Sequence, residues 1–298
     1  MEIVLATPSP SSLDTLTATL ASWQAEAVAN HIHPGDLGWY ERFGTDKAAA
    51  DIRTWSSAAD GTVLAIGLLD GDDLLRATTA PSERRNETLA RVMAADITDP
   101  ARGVLPKGNV TLDISTDSLV REYVAAAEGW AEDEEWTWLR VDLSDDMPQR
   151  TNSTNNLRVE IVKTEEQVRQ RVEIQTLAFS KSTFTVEKWH AMAASPAYRA
   201  PGARCVLLYQ DDEPVGAATV WSAGSGKPGM LEPVGVSAKH HGRGLGTALC
   251  RAAVDELRRM GASSAVVDTP SSNVSAVAAY KKAGFVVTKL HRDLCRDK

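Results

Sequence analysis

LEPVGVSAKHHGRGLGTAL, from Leu231 to Leu249, decides the reading of this chain: an apolar strand empties through a short basic turn into a glycine-rich helix start. The first N–H groups of a helix have no intrahelical partner and its dipole is positive at that end, so the junction favours an anion. Gly242, Gly244 and Gly246 have no side chains to keep a pyrophosphate from the backbone, and Lys239 and Arg243 add positive charge.

Spacing separates the phosphate-binding loops that could read this way. A P-loop needs Gly-Lys-Ser/Thr, but Gly246 is followed by Thr247 and Ala248. A dinucleotide-binding unit comes nearer, because Asp268 closes the next apolar run, 22 residues after Gly246, about where a ribose-binding carboxylate would stand. It fails on two counts. Five residues, Ser237 to His241, separate Val236 from the first glycine, and the glycines run G-x-G-x-G rather than G-x-G-x-x-G. Only 30 residues follow Asp268, too few for the remainder of such a domain.

His241-Gly242-Arg243-Gly244-Leu245-Gly246 resembles the acyl-CoA signature of the GNAT superfamily of N-acyltransferases, Arg/Gln-x-x-Gly-x-Gly/Ala, with His241 departing at the first position. A second element of that family follows in the family's order, with Asn273, Ala276 and Tyr280 at the spacing N-x-x-A-x-x-x-Y, ahead of Lys281-Lys282-Ala283-Gly284-Phe285. Between the two, a helix is predicted near 244–260, a strand near 264–268 and a second helix from Asn273.

The resemblance implies a twisted mixed sheet flanked by helices and acetyl-CoA as cosubstrate. It implies that Val234, Gly235 and Val236 meet the pantetheine arm where the strand splays from its neighbour, that His241 to Thr247 hold the pyrophosphate, and that Asn273, Ala276 and Tyr280 complete the site. Direct transfer needs a neutral amine, a polarised thioester carbonyl and a proton for the leaving thiolate. Tyr280 is the expected acid, since a phenol with pKa ~10 is protonated at neutral pH. Glu232 is the candidate base, and the N–H of Val236 the donor to the carbonyl. Pro233 and Gly235 are predicted to disturb the strand's ladder, with Glu232, Val234 and Val236 on one face.

Upstream, Arg204–Tyr209 and Val215–Trp221 read as a hairpin turning at 210–214. Phe179, Phe184, Trp189, Tyr198 and Trp221 either clasp the acceptor or belong to the core. The polar stretch at 147–156 reads as a linker between residues 1–146 and 157–298. A shift of 155 residues lays Leu112-Asp113 on Val267-Asp268 and Gly129-Trp130 on Gly284-Phe285, which predicts two copies of one α/β fold. Each copy reads as an opening strand, two helices, a hairpin, a helix, a strand, a helix and closing strands. In the N-terminal copy the loop becomes Pro81 to Thr88, with no glycine and two carboxylates, while Tyr280 becomes Ala125 and Asn273 becomes Ser118. The expected architecture is therefore a tandem GNAT-like chain with a degenerate first domain and one CoA site in 157–298.

Length and composition agree with two soluble domains: 298 residues, 43% hydrophobic and 24% charged. The three cysteines are widely spaced, which predicts neither a disulfide framework nor a zinc cluster and points to the cytoplasm. Cys250 reads as a core thiol. His240 and His241 are adjacent, and His31-x-His33 lacks further ligands nearby, so no metal is expected. No run approaches the roughly 18 apolar residues of a membrane span. The net charge of −8 argues against nucleic acid. From Lys239 onward, however, eleven Lys/Arg stand against five Asp/Glu, which suits a polyanion such as CoA. The expected acceptor is a small-molecule amine, the expected assembly a monomer or homodimer. A peptide or protein acceptor, or a CoA-binding sensor without turnover, are the other readings.

Overall fold

The computed structural model describes residues 2–26, 31–143 and 156–296. In chain order these form β1 (Ile3–Ala6), α1 (Leu13–Trp23), α2 (Pro34–Tyr40), α3 (Thr45–Asp51), β2 (Ile52–Ser57), β3 (Val63–Leu69), β4 (Leu74–Thr79), α4 (Glu87–Thr98), β5 (Val110–Ile114), α5 (Leu119–Ala125) and β6 (Trp130–Asp142). There follow β7 (Leu157–Ile161), α6 (Glu165–Ala178), α7 (Val186–Ala193), β8 (Ala203–Gln210), β9 (Glu213–Trp221), β10 (Pro228–Val236), α8 (Leu245–Arg259), β11 (Ser264–Pro270), α9 (Val274–Ala283) and β12 (Val286–Arg296). The fold is mixed α/β, and the second half follows the predicted order. Among the described residues the first half has three α-helices rather than two before its β2–β3 hairpin, and each half closes on one long strand rather than several.

The repeat is visible in the local stereochemistry. At the 155-residue offset, Ser118 and Asn273 both stand at helix N-caps, and Gly129 and Gly284 both adopt left-handed φ, +82° and +112°. A glycine past the last helical turn takes this conformation without a Cβ penalty, so the chain reverses there in both copies.

The residues sort into two compact units that are not consecutive in sequence. Unit 1 comprises Met1–His33, Thr45–Trp136 and His291–Lys298; unit 2 comprises Pro34–Gly44 and Thr137–Leu290. The sequence reading put 1–146 in one domain and 157–298 in the other. The units depart from this by exchanging segments: α2 and the second half of β6 join unit 2, and the second half of β12 joins unit 1. The expected linker at 147–156 lies outside the described residues except for Asn156.

In unit 1 the strands run β1-β2-β3-β4-β5-β12-β6, with β4 and β5 parallel from Leu74↔Thr111 to Ala77↔Ile114. Its core gathers Trp55, Leu89, Met93, Ile97, Leu112, Val120 and Trp130 between the sheet and α4 and α5.

In unit 2 the order is β12-β6-β11-β10-β9-β8-β7. The β8–β9 hairpin turns on Asp211 and Asp212, both at positive φ (50° and 66°), with Gln210 opposite Glu213. Short acidic side chains tolerate that conformation, which matches the right-handed twist of the strands. Thr164 and Gln167 form a capping box that starts α6. On one face of the sheet α8 lays Leu249, Ala253 and Leu257 against Val206, Val220 and Leu231. A second cluster in the same unit includes Phe184, Met192, Cys205, Leu207, Trp221 and Met230.

Candidate functional site

The site begins with a fault in β10. Its antiparallel register with β9 passes from Leu231↔Val220 to Val234↔Ala218, so three steps on β10 match two on β9. This bulge keeps Leu231, Val234 and Val236 against the α8 core and turns Gly235 to the α6 side. A Cβ at Gly235 would stand 2.7 Å from Ala178 Cβ and 2.8 Å from Phe179 Cε2, which is why glycine is required there. The disturbance predicted from Pro233 and Gly235 is present, and the Glu232–Pro233 peptide is cis.

On its other edge β10 pairs with β11 only at Pro228↔Ser264, Gly229↔Ala265 and Met230↔Val266. Beyond Met230 the two strands part while β9 still holds β10. Ser237 N–H donates to Val215 O on the β9 side. Peptide groups alternate along a strand, so those of Val234 and Val236 face the opening. They are two of the three residues expected to meet a pantetheine arm; the third, Gly235, lies between them and faces Ala178 and Phe179.

The bulge is braced from behind. Trp221, fully buried, donates its Nε1–H to the Glu232 carbonyl at 2.6 Å, satisfying a group the ladder no longer reaches. The indole is covered by α2: a Cβ at Gly35 would fall 2.4 Å from Trp221 Cγ, and one at Gly38 2.4 Å from Cζ3. Both glycines let the helix lie flat on the ring.

At the end of β10 the chain enters the predicted anion loop. Gly242 and Gly244 have φ of +76° and +79° with nothing within 4 Å of an added Cβ, so conformation rather than crowding demands glycine. Gly246 differs, since a Cβ there would make an ordinary 3.6 Å contact with Ala279. Gly244 is the N-cap of α8 and offers no side chain to its amides. The bond Ala248 N–H to Gly244 O (3.2 Å) opens the helical ladder, which leaves the N–H groups of Leu245, Gly246 and Thr247 directed out of the helix end. Arg243 is exposed beside them. His241, where the family signature has Arg or Gln, bonds inward: its Nε2 lies 3.0 Å from the Val236 carbonyl. It ties the loop to the strand end, a role its sequence position did not indicate.

Tyr280 is held by its helix terminus. Phe285 N–H donates to Tyr280 O (3.1 Å) and Gly284 N–H to Lys281 O (3.1 Å), the paired bonds of a Schellman ending. The Tyr280 and Phe285 rings meet edge to face at 5.6 Å. Among the described residues the phenol makes no hydrogen bond. Burial pushes its pKa well above the usual phenol range, and the neighbouring Cys250 thiol and the carboxylates of Asp268 and Glu232 add to the shift. Glu232 and Asp268 therefore both lie within electrostatic reach of the hydroxyl. The sequence reading used Asp268 only as a point for a competing fold. Asn273 caps α9 through Ala276 N–H at 3.3 Å, so its position is fixed by the helix start, with Ala276 one turn on. Cys250 is buried and its thiol pushed up to about 12 by that burial, as a core residue should be.

Aromatic residues expected near an acceptor divide. Trp221 and Phe184 are buried, whereas Phe179, at 38% exposure, stands beside Gly235. Trp39 and Arg42, from the N-terminal half of the sequence, join this side of unit 2. Trp39 packs on Phe184 at 5.1 Å between centroids, and Arg42 lies 4.2 Å from the rings of both Trp39 and Phe43. PGDLGWY, with a proline and two glycines, gave no sign of a helix at this place.

The corresponding positions in unit 1 are built differently. Asn86 caps α4 through Leu89 N–H at 3.1 Å, and its own amide donates to Glu83 at 2.5 Å, so the helix end is closed by side chains. Arg84 and Arg85 are engaged by Asp117 and Glu122. The β3–β4 register has no bulge.

His31 corrects one sequence expectation. The residue was read as lacking further ligands, but Asp113 and His291, both distant in sequence, stand beside it in unit 1. Among the described residues no helix is long and apolar enough to cross a membrane.

Comparison with known proteins agrees with this geometry. The sequence profile of the acetyltransferase (GNAT) family matches residues 168–285. A mycothiol acetyltransferase of Corynebacterium glutamicum is 41% identical over 58 residues, so the match spans 20% of this chain and 20% of that relative. Two solved structures match nearly the whole length. A GCN5-related N-acetyltransferase from Sphaerobacter thermophilus has a TM-score of 0.60 at 19% identity, covering 99% of this chain and 95% of that one. A tandem GNAT protein from the clavulanic acid biosynthesis pathway has a TM-score of 0.62 at 15% identity, covering 99% and 98%. The second pair shares a fold over the entire chain, and the first a family profile over part of its C-terminal half: this chain has the tandem GNAT fold, and its residues 168–285 match the acetyltransferase (GNAT) family.

Proposed function

We propose that unit 2 binds acetyl-CoA and transfers its acetyl group to a primary amine of a small molecule, by direct attack in a ternary complex. The observation that carries this reading is the parting of β10 from β11 beside a left-handed glycine loop, with an unbonded phenol next to the opening. Backbone groups of Val234 and Val236 would take the pantetheine amides. The free N–H groups at Leu245, Gly246 and Thr247, with Arg243, would take the pyrophosphate.

In the reaction, a carboxylate accepts the ammonium proton, and Glu232 on the bulge is our assignment for it. The freed amine attacks the thioester carbonyl, whose developing oxyanion the Val236 N–H stabilises. As the C–S bond breaks, Tyr280 donates a hydrogen bond to sulfur. A phenol held above its usual range keeps its proton at neutral pH and suits that part. The attacking nitrogen sheds its second proton as it becomes the amide, and that proton reaches the thiolate through solvent, so CoA leaves as the thiol.

We read unit 1 as a copy that does not bind acyl-CoA, supported by the Asn86 cap, the engaged arginines and Ala125 in place of Tyr280. Three cysteines outside any disulfide fit a cytosolic setting. The acceptor is to be found by screening amines against acetyl-CoA with a thiol-release readout, and the mycothiol pathway amine suggested by the Corynebacterium relative belongs in the panel. Amine-dependent release that falls in Tyr280→Phe supports the reading. Release that is absent for every amine, with acetyl-CoA still bound, would favour a sensor.

A further inference from the structure

Unit 1 contains a buried cluster that the acyltransferase reading does not use. His31 follows the end of the first helical segment, Asp113 lies on β5 and His291 on β12, and one ligand atom from each lies within 4.8 Å of the others. His31 Nδ1 is 2.5 Å from Asp113 Oδ1, and the His31 and His291 rings meet edge to face at 5.2 Å. All three residues are buried, at 3%, 8% and 4% exposure.

We infer that His31, Asp113 and His291 form a binding site for one first-row divalent cation of the zinc class. Two imidazole nitrogens and one carboxylate oxygen are the donor set such ions prefer, and a solvent molecule can supply a fourth ligand. The surroundings orient the donors. Arg76 Nε holds the other Asp113 oxygen at 3.2 Å, which presents Oδ1 to the cluster. Asp293, two residues from His291 on the same strand face, places Oδ1 3.9 Å from His291 Nε2. A carboxylate behind a ligating imidazole is a common second layer around such ions. Within this set two carboxylates face one guanidinium, so a dication suits the local charge. Ligation needs a neutral imidazole and a carboxylate, so the His31–Asp113 hydrogen bond is given up when the ion binds, and the two atoms separate toward the ~3.3 Å edge of a tetrahedral site with ~2.0–2.1 Å bonds.

The cluster also sits at two crossings of the chain. His31 comes shortly before Pro34, where the sequence enters unit 2, and His291 is the residue at which β12 returns to unit 1. An ion would fasten both crossings to β5. This assignment is independent of acetyl transfer.

The test titrates Co2+, then competing Zn2+, into the full-length chelator-stripped chain, followed by visible absorption. One Co2+ per chain, displaced by Zn2+ and weakened on the order of tenfold or more in His291→Gln and Asp113→Asn but not in His190→Gln, is the expected result. Wild-type chain that takes up no metal, or equal binding by His291→Gln, overturns it. Should the variants fail to fold, anomalous diffraction at the zinc edge from ZnCl2-soaked wild-type crystals decides. A peak between His31, Asp113 and His291 sustains the site; a peak only on surface histidines refutes it.

Discussion

In the proposed reaction Tyr280 concentrates the chemistry into one hydroxyl. Its replacement by Phe keeps the ring, the packing on Phe285 and the helix ending, and removes only the donor. Turnover should fall by roughly 10²-fold while acetyl-CoA affinity changes less than about twofold, because the lost contact is made to sulfur as it departs. Steady-state rates and calorimetry on the same preparation separate the two effects. The raised phenol pKa also fixes a pH dependence. Below ~10, the ordinary phenol value, the folded chain keeps the full stability of a buried neutral Tyr280, and loses it as pH climbs through the higher folded value. No alkaline limb of kcat below pH ~10 should trace to this residue. A limb near pH 8–9 that disappears in Tyr280→Phe would contradict the burial argument. The glycines of the loop separate as sharply: Gly244→Ala forces a side chain into left-handed φ at a cost of about 1–2 kcal/mol, whereas Gly246→Ala meets only an ordinary contact with Ala279. Thermal melts should show the first destabilised and the second close to wild type.

The strand β10 has a defect at the place where the proposed function puts the pantetheine arm, and the defect depends on a partner that local sequence does not reveal. Pro233 and Gly235 signalled a broken ladder, because proline cannot donate and a glycine within a strand marks a bulge or a close backbone approach. The glycine loop, the Asn273 cap and the Gly284 ending were equally legible, since each is a short-range rule of backbone conformation. The bracing of the bulge was not. It requires Trp221 to reach Glu232 O and α2 to seat two glycines on the indole, and PGDLGWY is helical only because that surface is present. Gly38→Ala should therefore destabilise the chain by about 1–3 kcal/mol through overpacking against Trp221. Acetyl-CoA affinity should fall with it, although residue 38 lies far from the loop in sequence. Denaturant melts with calorimetry check both; unchanged stability would show that the helix can lift without cost.

At the scale of the whole molecule, sequence offset revealed two copies but not the exchange of segments between them. Each half is encoded by similar periodicities, so nothing local tells β6 or β12 which neighbours to take. The His31, Asp113 and His291 cluster was hidden for the same reason, its members being brought together only by that exchange. One consequence is that residues 157–298 alone lack Pro34–Gly44 and the portion of β6 that completes unit 2. This fragment should expose Trp221 and melt well below the full chain, by circular dichroism, or fail to fold. A fragment with full stability and activity would contradict the assignment of those segments.

The account stands most directly on where the donor binds. Titration of acetyl-CoA into the intact chain, and into a Gly244→Glu, Gly246→Glu variant that melts like wild type, measures this by calorimetry. One site per chain, lost in the variant, is the predicted result. No binding to the intact chain, a second site in unit 1, or undiminished binding by the variant would contradict it.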